Sequence, residues 1–132
     1  MITPSPQFQP LLKLSASGIT RLELGGEKRD FAVRLAELRR IQELTGRGPH
    51  KVLNDLRNGE WLIDDVIEII RLGLEAAGTE PSEASALVNR YIIEPQRFLS
   101  IGRSLAMAIL INGLEAPDDD APKKSQKTRA KT

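Results

Sequence analysis

Residues able to do chemistry are few in this chain, and they are poorly assembled for it. One histidine, His50, follows Pro49 at the start of a helical stretch. With no cysteine and no second histidine, it lacks the companions that a zinc site requires. A surface or helix-start position accounts for it. Asp64, Asp65 and Glu68 are the densest carboxylate group, of a kind that can hold a divalent cation or divide acid and base roles. The two aspartates also fall in the first turn of an apolar helix. Negative charge there offsets the helix dipole, which explains them without a ligand. No serine or threonine sits in a nucleophile elbow or beside a base. Gly25-Gly26 follows a strand but leads into another strand, so it is no phosphate loop. The sequence therefore predicts no catalytic residue, no metal site and no cofactor.

Basic residues give a similarly muted signal. Arg39 and Arg40 could touch DNA from a recognition helix. Glu37 and Glu43 share that short helix, however, and mixed signs mark a solvated face. Near the C-terminus Asp118, Asp119 and Asp120 precede Lys123, Lys124, Lys127, Arg129 and Lys131. Such a run could bind phosphate or an acidic protein weakly, but no aromatic residue is interleaved for base stacking. A solubilising tail is the simpler expectation. The net charge of +1 argues against a general anion trap.

The elements that must position these residues are mostly helical. With 132 residues, 40% of them hydrophobic, the chain can bury one core. Only 4% are aromatic, so that core must be aliphatic. Residues 1–17 carry Pro4, Pro6 and Pro10 and read as an extended arm. Residues 18–33 read as a β-hairpin turning at Gly25-Gly26. Pairing across that turn sets Glu23 against Lys28 and Arg21 against Asp30 on one face. Leu22, Leu24 and Phe31 fall on the other face, toward the helices. A one-residue slip would separate both charge pairs.

A helix over 35–44 shows an apolar stripe of Leu35, Leu38, Ile41 and Leu44. Gly46 and Gly48 stop it, and Pro49 opens a short helix carrying Val52, Leu53 and Leu56. Trp61 to Ala77 is the longest apolar stretch, with Ile63, Val66, Ile67, Ile70 and Leu74 as its stripe. It is expected to be the central helix. Thr79 is expected to cap the next helix, which carries Ala84, Leu87, Val88, Tyr91 and Ile92. Pro95 interrupts the run, and a last helix follows to Asn112, closed by Gly113. Residues 114–132 read as a disordered charged tail. The fold class is α+β, mainly α: an N-terminal hairpin packed on a small bundle of about five helices, in one domain over 18–113.

The last helix carries the functional expectation. Its second half, Leu105 to Ile111, is apolar nearly all round, and Met107 suits an adaptable surface. If one side faces outward, it faces a partner. Phe98, Ile101, Leu105, Ile109 and Leu110 are the candidate partner-binding residues. Charges at Leu105 and Ile109 are expected to abolish capture while leaving the domain folded.

The stretch from Gly18 to Gly78 resembles a phage tail assembly family found in gene transfer agents and in related tailed phages and prophages. Its members are called phage tail tube or tail assembly chaperone proteins. The resemblance lies in the linked order GITRLELGG, EKRDFAV, RLAELRRIQELTG, HKVLNDLRNGEW and an apolar helix ending IIRLGLEAAG. It implies a non-enzymatic chaperone that binds the tape-measure protein and also tail-tube subunits while the tail is built. It implies no cofactor. The alternatives are a structural tail-tube component, or a nucleic-acid-binding regulator using Arg39, Arg40 and the basic tail. Self-association into a homo-oligomer is left open. No segment approaches the roughly 20 apolar residues of a membrane span, and the N-terminus lacks a signal-peptide pattern. Action in the host cytoplasm, or within a phage-like particle, is the expectation, with no membrane partner.

Overall fold

The computed structural model describes residues 18–115. The expectations for residues 1–17 and for the tail from residue 116 fall outside the described residues. Strands β1 (Ile19–Leu24) and β2 (Glu27–Ala32) form the antiparallel hairpin. Its register sets Arg21 against Asp30 and Glu23 against Lys28, as the charge pattern predicts. Arg21 reaches Asp30 at 3.2 Å on the exposed face. On the opposite face Thr20, Leu24 and Phe31 are buried and Leu22 is half-buried. The turn needs left-handed backbone at both central positions, and Gly25 and Gly26 supply φ of 70° and 83°.

Helix α1 (Leu35–Thr45) begins with Glu37 accepting the Arg34 backbone N–H at 2.9 Å. Of its expected stripe, Ile41 is buried and Leu38 packs beside the core. Leu35 and Leu44 are exposed, a correction to the stripe. A spacing of three drifts across a helix surface that repeats every 3.6 residues, so the ends of a long threefold run leave the core face. Helix α2 (Pro49–Asn58) buries Val52, Leu53 and Leu56. Helix α3 (Ile63–Ala76) is central. Val66, Ile69, Ile70 and Leu74 have no exposed surface, whereas Leu62 and Ile63 at its start are exposed rather than part of the stripe.

Helix α4 (Pro81–Val88) starts from Glu80, not from a Thr79 cap. The Thr79 N–H instead donates to the Leu74 carbonyl at 3.0 Å, closing the end of α3. Beyond α4 the chain widens into a π-helical turn, Asn89–Ile93, and a second one follows at Phe98–Gly102. The i→i+5 bonds are explicit: the Glu94 N–H donates to Asn89 at 2.9 Å, and that of Gly102 to Arg97 at 2.8 Å. Between the turns the chain bends by 114°, and Gln96 takes φ of 55°. Helix α5 (Arg103–Leu114) completes the chain. A single core cluster draws side chains from the hairpin and every helix.

Gly113 does not close α5, which continues to Leu114. Its role is close approach: a Cβ there would sit 2.8 Å from Val33 Cγ1 and 3.0 Å from the Val33 carbonyl oxygen. Helix propensity alone makes Gly→Ala favourable by about 1 kcal/mol, while overpacking against backbone costs about 1–3 kcal/mol. Gly113→Ala is therefore expected to lower stability by about 1 kcal/mol, measured by urea unfolding. A gain in stability would show that the strand–helix contact yields freely.

Candidate partner-binding site

Helix α5 crosses α3 at Gly73, where a Cβ would meet Phe31 at 3.2 Å and Ile109 at 3.3 Å. That crossing commits one side of α5 to the core. Leu105, Ala106, Ile109 and Leu110 are buried there. Leu105, Ile109 and Leu110 are only 7%, 2% and 0% exposed, so they are core side chains rather than the partner surface expected from the sequence. A charge at Leu105 or Ile109 would enter the core and unfold the domain rather than spare it. Phe98 and Ile101 are half-buried and pack against the same core.

The opposite side of α5 stays open. Ser104, Met107, Ala108 and Ile111 recur at i, i+3, i+4 and i+7, so they share one face. With Arg103 they line a shallow groove of about 310 Å³. Arg103 is a fixed wall, because its Nε donates to the Leu56 carbonyl at 2.7 Å and its Nη2 to that of Arg57 at 3.1 Å. Those carbonyls belong to the last turn of α2, which lacks intrahelical partners for them.

A second concavity of about 640 Å³ lies between the hairpin turn and the bend that follows α4. Glu23, Leu24, Gly25 and Gly26 form one wall, and Arg90, Tyr91, Pro95, Arg97 and Ile101 form the other. Tyr91 lies flat against the turn: a Cβ on Gly25 would fall 2.4 Å from its ring. Arg29 and Arg90 both approach that ring, at 5.9 Å from its centroid.

Asp64, Asp65 and Glu68, neighbours in the sequence, have separate surroundings. Asp64 is exposed. Asp65 is buried and accepts both the Leu62 N–H at 2.9 Å and Arg47 Nη2 at 2.5 Å. Glu68 pairs with Arg71, which also reaches Glu75 at 2.6 Å. Among the described residues no group of three or more His, Cys, Asp or Glu could hold a metal ion. His50 is exposed at the start of α2. Arg40 pairs with Glu43 at 3.2 Å on an exposed face.

Arg47 is the charged residue that the sequence reading passed over. It lies between α1 and α2 and bridges the buried Asp55 of α2, at 2.5 Å, to the buried Asp65 of α3. Lys51 adds a 2.7 Å contact to Asp55. Hydrogen bonds from Lys51 and then Arg47 hold the Asp55 carboxyl below its ordinary value, and the Asp65 bond raises Arg47 above its own. One signal was available: Asp55 falls among Val52, Leu53 and Leu56, so a carboxylate occupies a core-facing position.

The model of the family described as phage tail tube protein, GTA-gp10, matches residues 17–114. The chain belongs to this family. Its role is therefore a structural one tied to a phage-like tail. No curated protein and no solved structure matches the chain. The matched span of the tail protein includes every described strand and helix, both concavities and the Arg47 cluster, and it stops before the charged tail. Among the described residues no single helix is long and apolar enough to cross a membrane.

Two outcomes follow for the tail protein. Arg47→Met leaves two buried carboxylates without their shared cation and is expected to cost about 3 kcal/mol or more, read from denaturant unfolding. A loss within about 0.5 kcal/mol would show that Lys51 and solvent suffice. For pH the sign follows from Asp55, whose folded value is depressed below 3.8. Its contribution is complete above the unfolded value and disappears as pH falls through the folded one. Thermal scans should show the midpoint falling as pH drops below about 4, with a smaller fall in Asp55→Asn.

Proposed function

We propose that this protein is a non-enzymatic chaperone of tail assembly, and that the open side of α5 is where it holds its client. The client is the tape-measure protein, and tail-tube subunits during their recruitment. It acts in the host cytoplasm before the tail is complete. The observation behind this is the face of Ser104, Met107, Ala108 and Ile111, apolar and left over once α5 has closed the core. Residues spaced i, i+3, i+4 and i+7 suit a second amphipathic helix laid along them. Met107 can repack against different client sequences. A groove this shallow suits brief holding, since permanent subunit interfaces are larger and more apolar.

A second role, as an incorporated tail-tube component, draws on a different observation. Leu35, Leu62, Ile63 and Leu99 are exposed on other parts of the surface. An incorporated subunit needs several contact faces, and scattered apolar side chains can serve them.

Ala108→Glu places a charge on the open face, where the side chain is only half-buried, so the fold should persist. Co-purification with a tape-measure fragment is expected to weaken by on the order of tenfold or more, with circular dichroism unchanged. Undiminished capture by a folded Ala108→Glu chain would refute this client face. Recovery of the wild-type chain in stoichiometric amount from purified particles would favour the incorporated component.

A further inference from the structure

A sheet of two strands leaves both of its strands at an edge. The two-residue turn makes Leu24 and Glu27 a hydrogen-bonded pair, and bonded pairs alternate from there through Leu22 and Thr20. The N–H and C=O groups of Arg21 and Glu23 therefore point away from β2. No backbone bond to another described element uses them. Both side chains are exposed, and Leu22 between them is only half-buried on the core side. Glu23 makes no ion pair among the described residues, although Lys28 lies opposite. The edge of β2 differs. Ala32 is buried there, the Lys28 carbonyl accepts Arg21 Nη2 at 3.3 Å, and β2 is the strand laid against α3. Beside β1, a space of about 640 Å³ adjoins Glu23 and Leu24, which leaves that end of its edge open.

Charges on an edge normally repel a stray strand. Here they have opposite signs two positions apart, so they select one partner and one register. A second copy of β1, antiparallel and centred on Leu22, sets Arg21 of each copy against Glu23 of the other. In that register the outward backbone groups of each such pair also face one another and can exchange both bonds. A shift of one residue turns those groups toward residues whose own bonds go to β2. A shift of two sets arginine against arginine or glutamate against glutamate. Backbone bonding and side-chain charge thus choose the same alignment independently.

The chain's own ends do not offer this match, which needs an acid and a base two residues apart. Residues 1–17 hold one charged side chain, Lys13, among Pro4, Pro6 and Pro10. In residues 116–132, Asp120 and Lys123 are the nearest acid and base, and they are three apart. We propose that β1 pairs with β1 of a second copy across a two-fold axis at Leu22, joining two hairpins into one four-stranded sheet. Leu22 meets its counterpart at the axis, which covers the surface that the hairpin leaves exposed. Such a contact is isologous and closes as a dimer. It uses no residue of α5, so it stands apart from the client face.

The test begins with the wild-type full chain, as a mixture of ¹³C-labelled and unlabelled copies. Isotope-filtered NOE spectra are expected to connect the Leu22 Hα of one copy with the Leu22 Hα of the other, because a non-hydrogen-bonded antiparallel pair brings its Cα atoms to about 4.5 Å. Sedimentation equilibrium then reads the charges. Arg21→Glu alone and Glu23→Arg alone are each expected to weaken the dimer on the order of tenfold or more. An equimolar mixture of these two variants should regain the lost affinity, since opposite signs face each other again in the mixed pair. A general weakening of the hairpin would produce no such recovery. The wild-type spectra decide the question even where a reversed chain does not fold. A wild-type chain that stays monomeric at about 1 mM overturns the proposal. Contacts between copies centred on another residue, or a mixture no tighter than either variant alone, overturn it equally.

Discussion

Helix α3 cannot exist uncovered, and the rest of the molecule follows from covering it. It is covered on more than one side, because the buried Leu72 and Asp65 lie outside the stripe of Val66, Ile69, Ile70 and Leu74, which have no exposed surface. Burying each such side chain is worth about 1.5–3 kcal/mol, and exposing it forfeits that. The hairpin supplies Phe31 to one side, and α5 supplies Ile109 beside it, both meeting α3 at Gly73. The second π-turn closes in at Gly102, where a Cβ would fall 2.7 Å from Val66. Arg47 fixes the start of α3 by holding Asp65, which itself caps the helix. Helix α5 serves this core and still has an apolar side left. The candidate client face is that remainder.

Much of this was legible in the residues. The hairpin register could be read because Arg21–Asp30 and Glu23–Lys28 both depend on it, and Gly25-Gly26 fixed the turn. The breaks at Gly46, Pro49, Gly59 and Pro81 set the helix order. The sidedness of α5 was not legible. A run such as LAMAILIN has no polar face to orient it, so only the partner across the core decides which half is buried. Leu105, Ile109 and Leu110 therefore looked as available as Met107 and Ala108. The π-turns were hidden for a related reason. Their extra residue shifts the side-chain phase without changing composition, and Tyr91 and Ile92 still read as one helical stripe. Arg47 escaped notice because a cation between two glycines looks like solvent-exposed loop, and its partners are 8 and 18 residues away.

The two concavities differ in ways that suit different uses. The groove on α5 is shallow and apolar, and it rests on a regular helix whose far side is locked in the core. It can accept a client helix without rearranging. The groove at the hairpin turn is larger, charged and framed by strained backbone. Membership of the tail family gives both a setting of protein–protein contacts within a phage-like tail. The Arg47 cluster lies between α1, α2 and α3 and serves the frame that holds these surfaces apart.

The central claim is that α5 is divided, with one side spent on the core and the other kept for a client. Methyl NMR of the full chain titrated with a tape-measure fragment tests this directly. The account predicts shifts at the methyl groups of Met107, Ala108 and Ile111, while those of Ile109, Leu110 and Ile70 stay in place. Shifts led by Ile109 and Leu110, or no shift along α5 despite binding, would contradict it.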